Sequence, residues 1–342
     1  MADTNLTALI RELWLRSLRP SFLLRMPVIA KLLDRGRVSW EGGTKIKFTV
    51  DKAEMDSLAQ SYGVNDALSS GTKTMLDTPE FEWRFTQVPL EYTVKDMVAN
   101  GGGEGTRPVG EDFVKFLTRK GQRATRLKML SMMWATGSSD RDGSTATDDN
   151  WHSIPDALTH DITYGGITRA TTSNAWFQGA SIAQDWADWD TNLPPSIDSV
   201  QQCIDAIRMY SETDDDLLAV CGNSVFRRLK AQIQAQVLYR PGSLQKYGHQ
   251  SMYIDNVEVV ADPWLEARQF NSAYATTKKY FTILNTKWWH YRIHPQRAFE
   301  IPDFQWQGNF PNGRDKWLTR VLMAGNLVCE QPAGSIFKSD MW

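Results

Sequence analysis

The chain has 342 residues, a net charge of −2, 42% hydrophobic and 23% charged residues. That balance fits a folded chain of about two units and excludes a disordered one. No run of about 18 apolar residues offers a membrane span, the opening MADTNLTALIRELW lacks the basic-then-apolar order of a secretory leader, and Cys203, Cys221 and Cys329 share no C-x-x-C spacing, so a reducing cytoplasm is expected and neither a disulfide framework nor a closed zinc site.

Residues 5–34 read as broken helix. Leu6, Leu9, Ile10, Leu13 and Trp14 keep helical spacing, Pro20 and Pro27 interrupt it, and Arg11, Arg16, Arg19 and Arg25 interleave. The prolines make it a poor membrane helix, so an arm that packs on a partner is expected. Residues 38–50 read as a strand, with Ile46, Phe48 and Val50 alternating with polar residues. Residues 80–94 are its expected partner, through Phe81, Trp83 and Phe85. About thirty polar residues between them imply a protruding hairpin with a long tip, which needs something to lie on.

Gly101–Gly105 (GGGEG) reads as a joint. It lacks the G-K-[ST] and G-x-G-x-x-G spacings of phosphate loops. Residues 109–135 form the clearest helix, roughly 40 Å long at about 1.5 Å per residue. Its expected apolar stripe is Phe113, Leu117, Ala124, Leu127, Leu130 and Trp134. Residues 138–196 are loop-rich and acidic. A helix is expected over 197–211, then a buried strand Leu217–Val220, a Gly222-Asn223-Ser224 turn and a helix Val225–Leu238. Two short strands flank an Asp255-Asn256 turn within Met252–Val260. Strands are expected at Tyr280–Asn285, Trp288–Ile293, Ala298–Ile301 and Trp317–Val328.

The near-zero net charge conceals a polarity. Residues 1–50 hold nine Lys/Arg against four Asp/Glu, residues 109–135 six against two, and residues 137–216 three against fifteen. A chain divided this way can present a basic and an acidic face. The 14 tryptophans suit interface hot spots and sugar stacking as well as ordinary cores.

Catalytic and metal patterns are weak. His290 and His294 have i, i+4 spacing, but KWWHYRIHP reads as strand, which separates them by about 13 Å. Asp214–Asp216 and the Asp140–Asp149 group match no calcium loop. Ser224 lacks the second glycine of a nucleophile elbow. No metal, cofactor or catalytic residue is expected, and a Trp-rich glycoside hydrolase or sugar-binding protein is the enzyme-class alternative.

The order of parts resembles the major capsid protein of tailed phages, the Hong Kong 97-like fold shared with encapsulins. The resemblance rests on Leu32-Leu33-Asp34-Arg35-Gly36-Arg37 ending an arm, Trp40-Glu41-Gly42-Gly43 opening a long hairpin, the long helix, and the closing run. That run is Tyr280–Asn285, Arg297–Ile301, Asp315-Lys316-Trp317 into a long strand, then Gly325–Cys329 and Pro332. It implies an α+β fold: N-terminal arm 1–37, E-loop 38–100, P domain 101–196 with spine helix 109–135, A domain 197–285, and returning P-domain strands with the C-terminus at 286–342.

It further implies a non-enzymatic shell protein, whose partners are copies of itself in hexamers and pentamers, packaged double-stranded DNA, and scaffolding, portal and decoration proteins. The location implied is the virion capsid, assembled in host cytoplasm. An encapsulin-type compartment is the alternative within the fold. Some members of the family carry a scaffold-like region of about a hundred residues before the arm; here only about 35 residues precede the first hairpin strand, so the resemblance implies a separate scaffolding protein or none. Lys73 is a candidate cross-linking lysine, though no cross-link is predicted. Trp14 and Phe22 of the arm and Trp40, Phe81, Trp83 and Phe85 of the E-loop are the expected intersubunit contacts. Arg11, Arg16, Arg19, Lys115, Arg119, Arg123 and Arg126 are the expected basic surface facing the interior.

Overall fold

The computed structural model describes residues 23–52, 76–93, 109–134, 151–159, 163–169, 172–180, 197–211, 213–233, 243–262, 281–307 and 316–338, with residues 95 and 265. The arm over 1–22, the hairpin tip, the Gly101–Gly105 joint and the Asp140–Asp149 group lie outside these residues.

Helix α1 (Pro27–Asp34) starts with proline in its first turn, where a missing N–H costs nothing. It ends in a left-handed glycine: Gly36 has φ 66°, its N–H donates to Leu33 O, and Arg37 N–H donates to Leu32 O. This paired closure satisfies two of the carbonyls that a helix end leaves open. Val28, Ile29, Ala30 and Leu32 are fully buried in the chain's own core. Over these residues this corrects the expectation of an arm packed on a partner, because the apolar face is already covered by the chain's own core.

Strand β1 (Val38–Trp40) follows. The hairpin comes next: β2 (Lys45–Lys47) and β3 (Val50–Asp51) run out, and β4 (Leu76–Asp77) and β5 (Glu80–Glu82) run back. Ile46 stands opposite Phe81 and Val50 opposite Asp77. The expected pairing of 38–50 with 80–94 therefore holds only near the middle. β1 instead pairs in parallel with a late strand. Trp83 lies in no strand, and from Arg84 onward strand β6 (Arg84–Thr93) joins the main sheet. That interruption shifts the alternation by one. Arg84, Thr86, Val88, Leu90 and Tyr92 face inward and Phe85 outward, since a one-residue slip exchanges the faces of a strand.

Helix α2 (Val109–Met133) has the expected length. Leu117, Leu130 and Trp134 of the expected stripe are buried and Leu127 is half-buried, but Ala124 is exposed, and the buried side also takes in Gly121, Thr125, Met129, Met132 and Met133. Helix α3 (Ile154–Leu158) is capped by Ser153, whose Oγ accepts from Asp156 N–H at 3.2 Å. Strands β7 (Thr163–Tyr164) and β8 (Ile167–Thr168) form a small hairpin.

Helix α4 (Ile197–Arg208), strand β9 (Leu217–Cys221), helix α5 (Asn223–Ile233), β10 (Ser251–Ile254) and β11 (Val257–Ala261) build an α/β unit as expected. Asp255 and Asn256 both take positive φ, 50° and 65°, the geometry of a two-residue hairpin turn. The chain closes with β12 (Phe281–Asn285), β13 (Trp289–Ile293), β14 (Gln305–Trp306), β15 (Lys316–Cys329) and β16 (Ile336–Lys338). Residues 298–301 contribute only a bridge between Glu300 and Leu322, not the expected strand.

Two sheets organise these elements. In the first, β15 pairs with β6 along 316–325 and with β13 along 325–329, and β13 pairs onward with β1. The second has the order β10-β11-β9-β12-β16. Strand β16, which is not among the expected strands, returns to the second sheet beside β12. The second sheet is buried on both faces. Leu218, Val220, Val260 and Leu284 join the large core shared with α1, α2 and the first sheet. Leu217, Ala219, Cys221, Val259 and Ile283 face α4 and α5. Continuous apolar runs are what a sheet covered on both faces demands.

Candidate assembly surfaces

Three surfaces could meet another molecule: the exposed aromatic residues near the hairpin, the outer face of α2, and the hairpin itself.

Trp40 ends the edge strand β1 and is 56% exposed, and Phe85 is 66% exposed on the outward face of β6. Phe81 and Trp83 are 1% and 8% exposed. They are interior residues of the folded chain, a correction to their expected openness: Phe81 packs among Phe48, His152 and Tyr164 and Trp83 against His294, and the slip after Trp83 leaves only Phe85 outward. Trp306 was not singled out in the sequence. It is 46% exposed and stacks on Trp317 at 6.0 Å, with Tyr92 continuing the stack at 6.5 Å from Trp317. Its signal was the short FQW run, hidden between loops. Trp14, Phe22, Arg11, Arg16 and Arg19 lie outside the described residues.

On α2, Phe116, Arg119, Lys120, Arg123 and Lys128 share the exposed side, Arg126 is half-buried, and Lys120 Nζ lies 4.6 Å from the Phe116 ring centroid. Lys115 is on the helix, but its side chain is not among those described. A helix that buries one face and lines the other with cations offers a phosphate-compatible ridge.

The hairpin is anchored at its root. Trp83 Nε1 donates to Gly43 O at 2.8 Å. The Phe81 ring lies among Phe48, His152 and Tyr164, with centroids 5.4, 5.0 and 4.8 Å away. Outside, Lys45 and Lys47 both pair with Glu80. Glu80 is held below the usual carboxylate range by the hydrogen bonds from these lysines, and Lys45 is raised in turn by Glu80.

The residues weighed for chemistry are committed elsewhere. His290 Nε2 lies 3.2 Å from Glu330 Oε1, whereas the His294 ring packs edge-on against Trp83. Burial pushes the Glu330 carboxyl up, but the hydrogen bond from His290 and the nearby His290, Arg292 and Arg37 charges outweigh it and leave it lowered. Two members of the acidic run at 214–216 are paired within the chain: Arg208 reaches Asp214 at 3.2 Å, and Asp255 at 2.7 Å, and Arg35 reaches Asp216 at 3.4 Å. Ser224 is a buried residue in the first turn of α5. Among the described residues, no group of three or more His, Cys, Asp and Glu gathers as a metal site requires.

No family model matches the sequence, and no curated protein is similar to it. Solved structures are similar. The capsid asymmetric unit of cyanophage A-1(L) superposes with a TM-score of 0.59 at 14% identity, covering 94% of this chain and 94% of that one. This chain has the fold of a phage capsid protein. The capsid of a native GTA particle shares the fold with a TM-score of 0.50 at 10% identity over 89% of this chain and 88% of that one. A Mycobacterium phage Ogopogo chain gives 0.50 at 9% over 88% and 89%. At these identities what is held in common is the capsid-type fold, and side-chain roles have to be argued from this chain alone.

Proposed function

We propose that this chain is the major capsid protein of a tailed phage, a structural protein whose activity is self-assembly into an icosahedral head shell around double-stranded DNA. The observation that carries the reading is a capsid-type fold along 94% of the chain. The exposed aromatic residues and the cationic outer face of α2 are consistent with it. In this reading the hairpin of β2 to β5 is the E-loop. Helix α2 is the spine of the P domain, built on the first sheet. The second sheet with α4 and α5 is the A domain, and residues 1–22 are the arm.

Copies meet through heterologous contacts. A fixed rotation closes such contacts into hexamers and pentamers, and these close into a shell. Apolar area covered at each contact contributes roughly 25 cal/mol per Å². Arg119, Arg123 and Arg126, with Lys115 and the arm arginines Arg11, Arg16 and Arg19, face the packaged DNA. They neutralise phosphate without reading bases. Scaffolding, portal and decoration proteins are the further partners, and the particle is assembled in host cytoplasm.

Electron microscopy of the expressed chain, alone and with its scaffold, tests the reading. Rings or closed shells are expected. A chain that stays dispersed at high concentration in both conditions overturns it. Shells that fill with protein cargo and exclude DNA would instead mark an encapsulin-type compartment.

A further inference from the structure

The hairpin is joined to the body by a root whose two sides are built differently. Among the described residues its strands form ladders only with each other, not with either large sheet. One leg leaves β1 through Glu41-Gly42-Gly43-Thr44, and the other enters β6 through Trp83, none of them in a strand. The Trp83–Gly43 hydrogen bond ties these two crossing points together. No continuous ladder therefore crosses this junction.

Bending is opposed chiefly by an aromatic plug, with Ile46 and Val50 also buried and hydrogen bonds to the body at Glu80 and Glu82. Phe81 packs on Phe48 of the hairpin's own outgoing leg and together they meet a socket that His152 and Tyr164 of the body provide. Phe48 stacks on one face at an interplanar angle of 17°, and His152 and Tyr164 meet it edge-on. The socket is fixed to the main sheet. Asn326 of β15 accepts from His152 N–H at 3.0 Å, and it also ties the hairpin's own strand β5 by donating to Glu82 O at 3.0 Å. The Tyr164 hydroxyl accepts from Cys329 N–H at 2.8 Å. Its rim is Gly165, at φ 59°, whose carbonyl accepts from Glu80 N–H at 3.1 Å. A Cβ at Gly165 would stand 2.7 Å from Phe81 Cζ and 2.8 Å from Pro79 Cβ, so only glycine lets the plug seat. Beside the plug lies an open, polar cavity of about 330 Å³, bordered by Lys45, Glu82, Arg84 and His152. The root is packed tightly on one side and loosely on the other.

We propose that Phe81 and its socket form a releasable latch that holds the hairpin at one angle to the body, with Gly43 and Trp83 as the pivot. Seating the plug fixes the hairpin's direction. Unseating it frees the hairpin as a unit while both sheets stay intact. Only the consequence for particle geometry rests on the shell reading. The latch is a property of the single chain.

Hydrogen exchange on the full, unassembled chain tests it. Phe81→Ala and Gly165→Ala are each expected to speed exchange at 45–51 and 76–82 by at least about tenfold, as local opening requires. Amides of β9 and β12 should keep their native rates, and Phe81→Leu should restore most of the protection. Three results overturn the latch: unchanged exchange in the hairpin of both alanine variants, equal acceleration across both sheets, or failure of both variants to fold. None of these bears on whether particles form, and failure to form particles would leave the latch standing.

Discussion

Lys31 is a cation on a helix that otherwise buries only apolar groups, and its side chain is 8% exposed. Its ammonium lies 3.3 Å from Glu258, which is 1% exposed on β11. Glu258 also accepts from Leu244 N–H at 2.8 Å and from the Ser243 hydroxyl. A buried pair of this kind adds little net stability against an apolar replacement, but breaking it strands a charge. Lys31→Met should therefore cost about 3–5 kcal/mol, and Lys31→Met combined with Glu258→Gln should recover much of the loss. Urea unfolding of the unassembled chain measures both. Equal destabilisation by the single and double variants would show that the charge is not what matters. Nothing in the sequence announces this pair, since its members are 227 residues apart and a lone Lys in an apolar helix reads as a solvated side chain. The Asp255-Asn256 turn was legible because its signal is local: two residues that tolerate positive φ, flanked by apolar runs.

At the scale of elements, existence was legible and facing was less so. Helix α2 declared itself by length, by the absence of proline and by its run of Lys, Arg, Leu and Met, and its bounds differ from expectation by two residues at one end. Its buried face was legible in part: Leu117, Leu130 and Trp134 are buried as read, whereas Ala124 is exposed. The helix packs a Gly, a Thr and three Met residues inward, types that hydrophobic patterning ranks below the Leu and Ala chosen for the stripe. Thr125 can be buried because its hydroxyl donates to Gly121 O at 2.9 Å. The corrected face predicts a contrast. Met129→Ala should destabilise by about 2–5 kcal/mol, whereas Ala124→Ser should stay within about 0.5 kcal/mol. Thermal or denaturant midpoints of the two variants decide it, and a larger loss at Ala124 would restore the original stripe. The hairpin shows the same limit. Ile46, Phe48 and Val50 alternate as read, but the return leg changes phase at Trp83. Alternation cannot show where a strand leaves one partner for another.

The whole molecule was legible through the order of its parts, because a long hairpin, a long helix and a long closing strand follow one another in few folds. Which apolar residues stay outside was not legible, because periodicity treats Phe81 and Phe85 as equivalent, while the fold seats one in a socket and leaves the other in solvent. That difference separates folding from assembly. Truncating Phe81 removes ring contacts within the chain, so its effect belongs to the stability of the single copy. Trp40 and Phe85 are 56% and 66% exposed. Replacing them with Ser removes little that the isolated fold uses and should shift the unfolding midpoint by no more than about 0.5 kcal/mol each. If copies cover these rings on one another, each ring is a central contact of the kind whose truncation costs about 2 kcal/mol or more in binding. Because such contacts recur throughout a closed particle, the threshold concentration for assembly should rise steeply. Light scattering against concentration, beside denaturant unfolding of the unassembled chain, separates the two effects. Variants that fold normally and assemble poorly place both rings at the contact. Variants that assemble at the wild-type threshold would show that other surfaces join the copies.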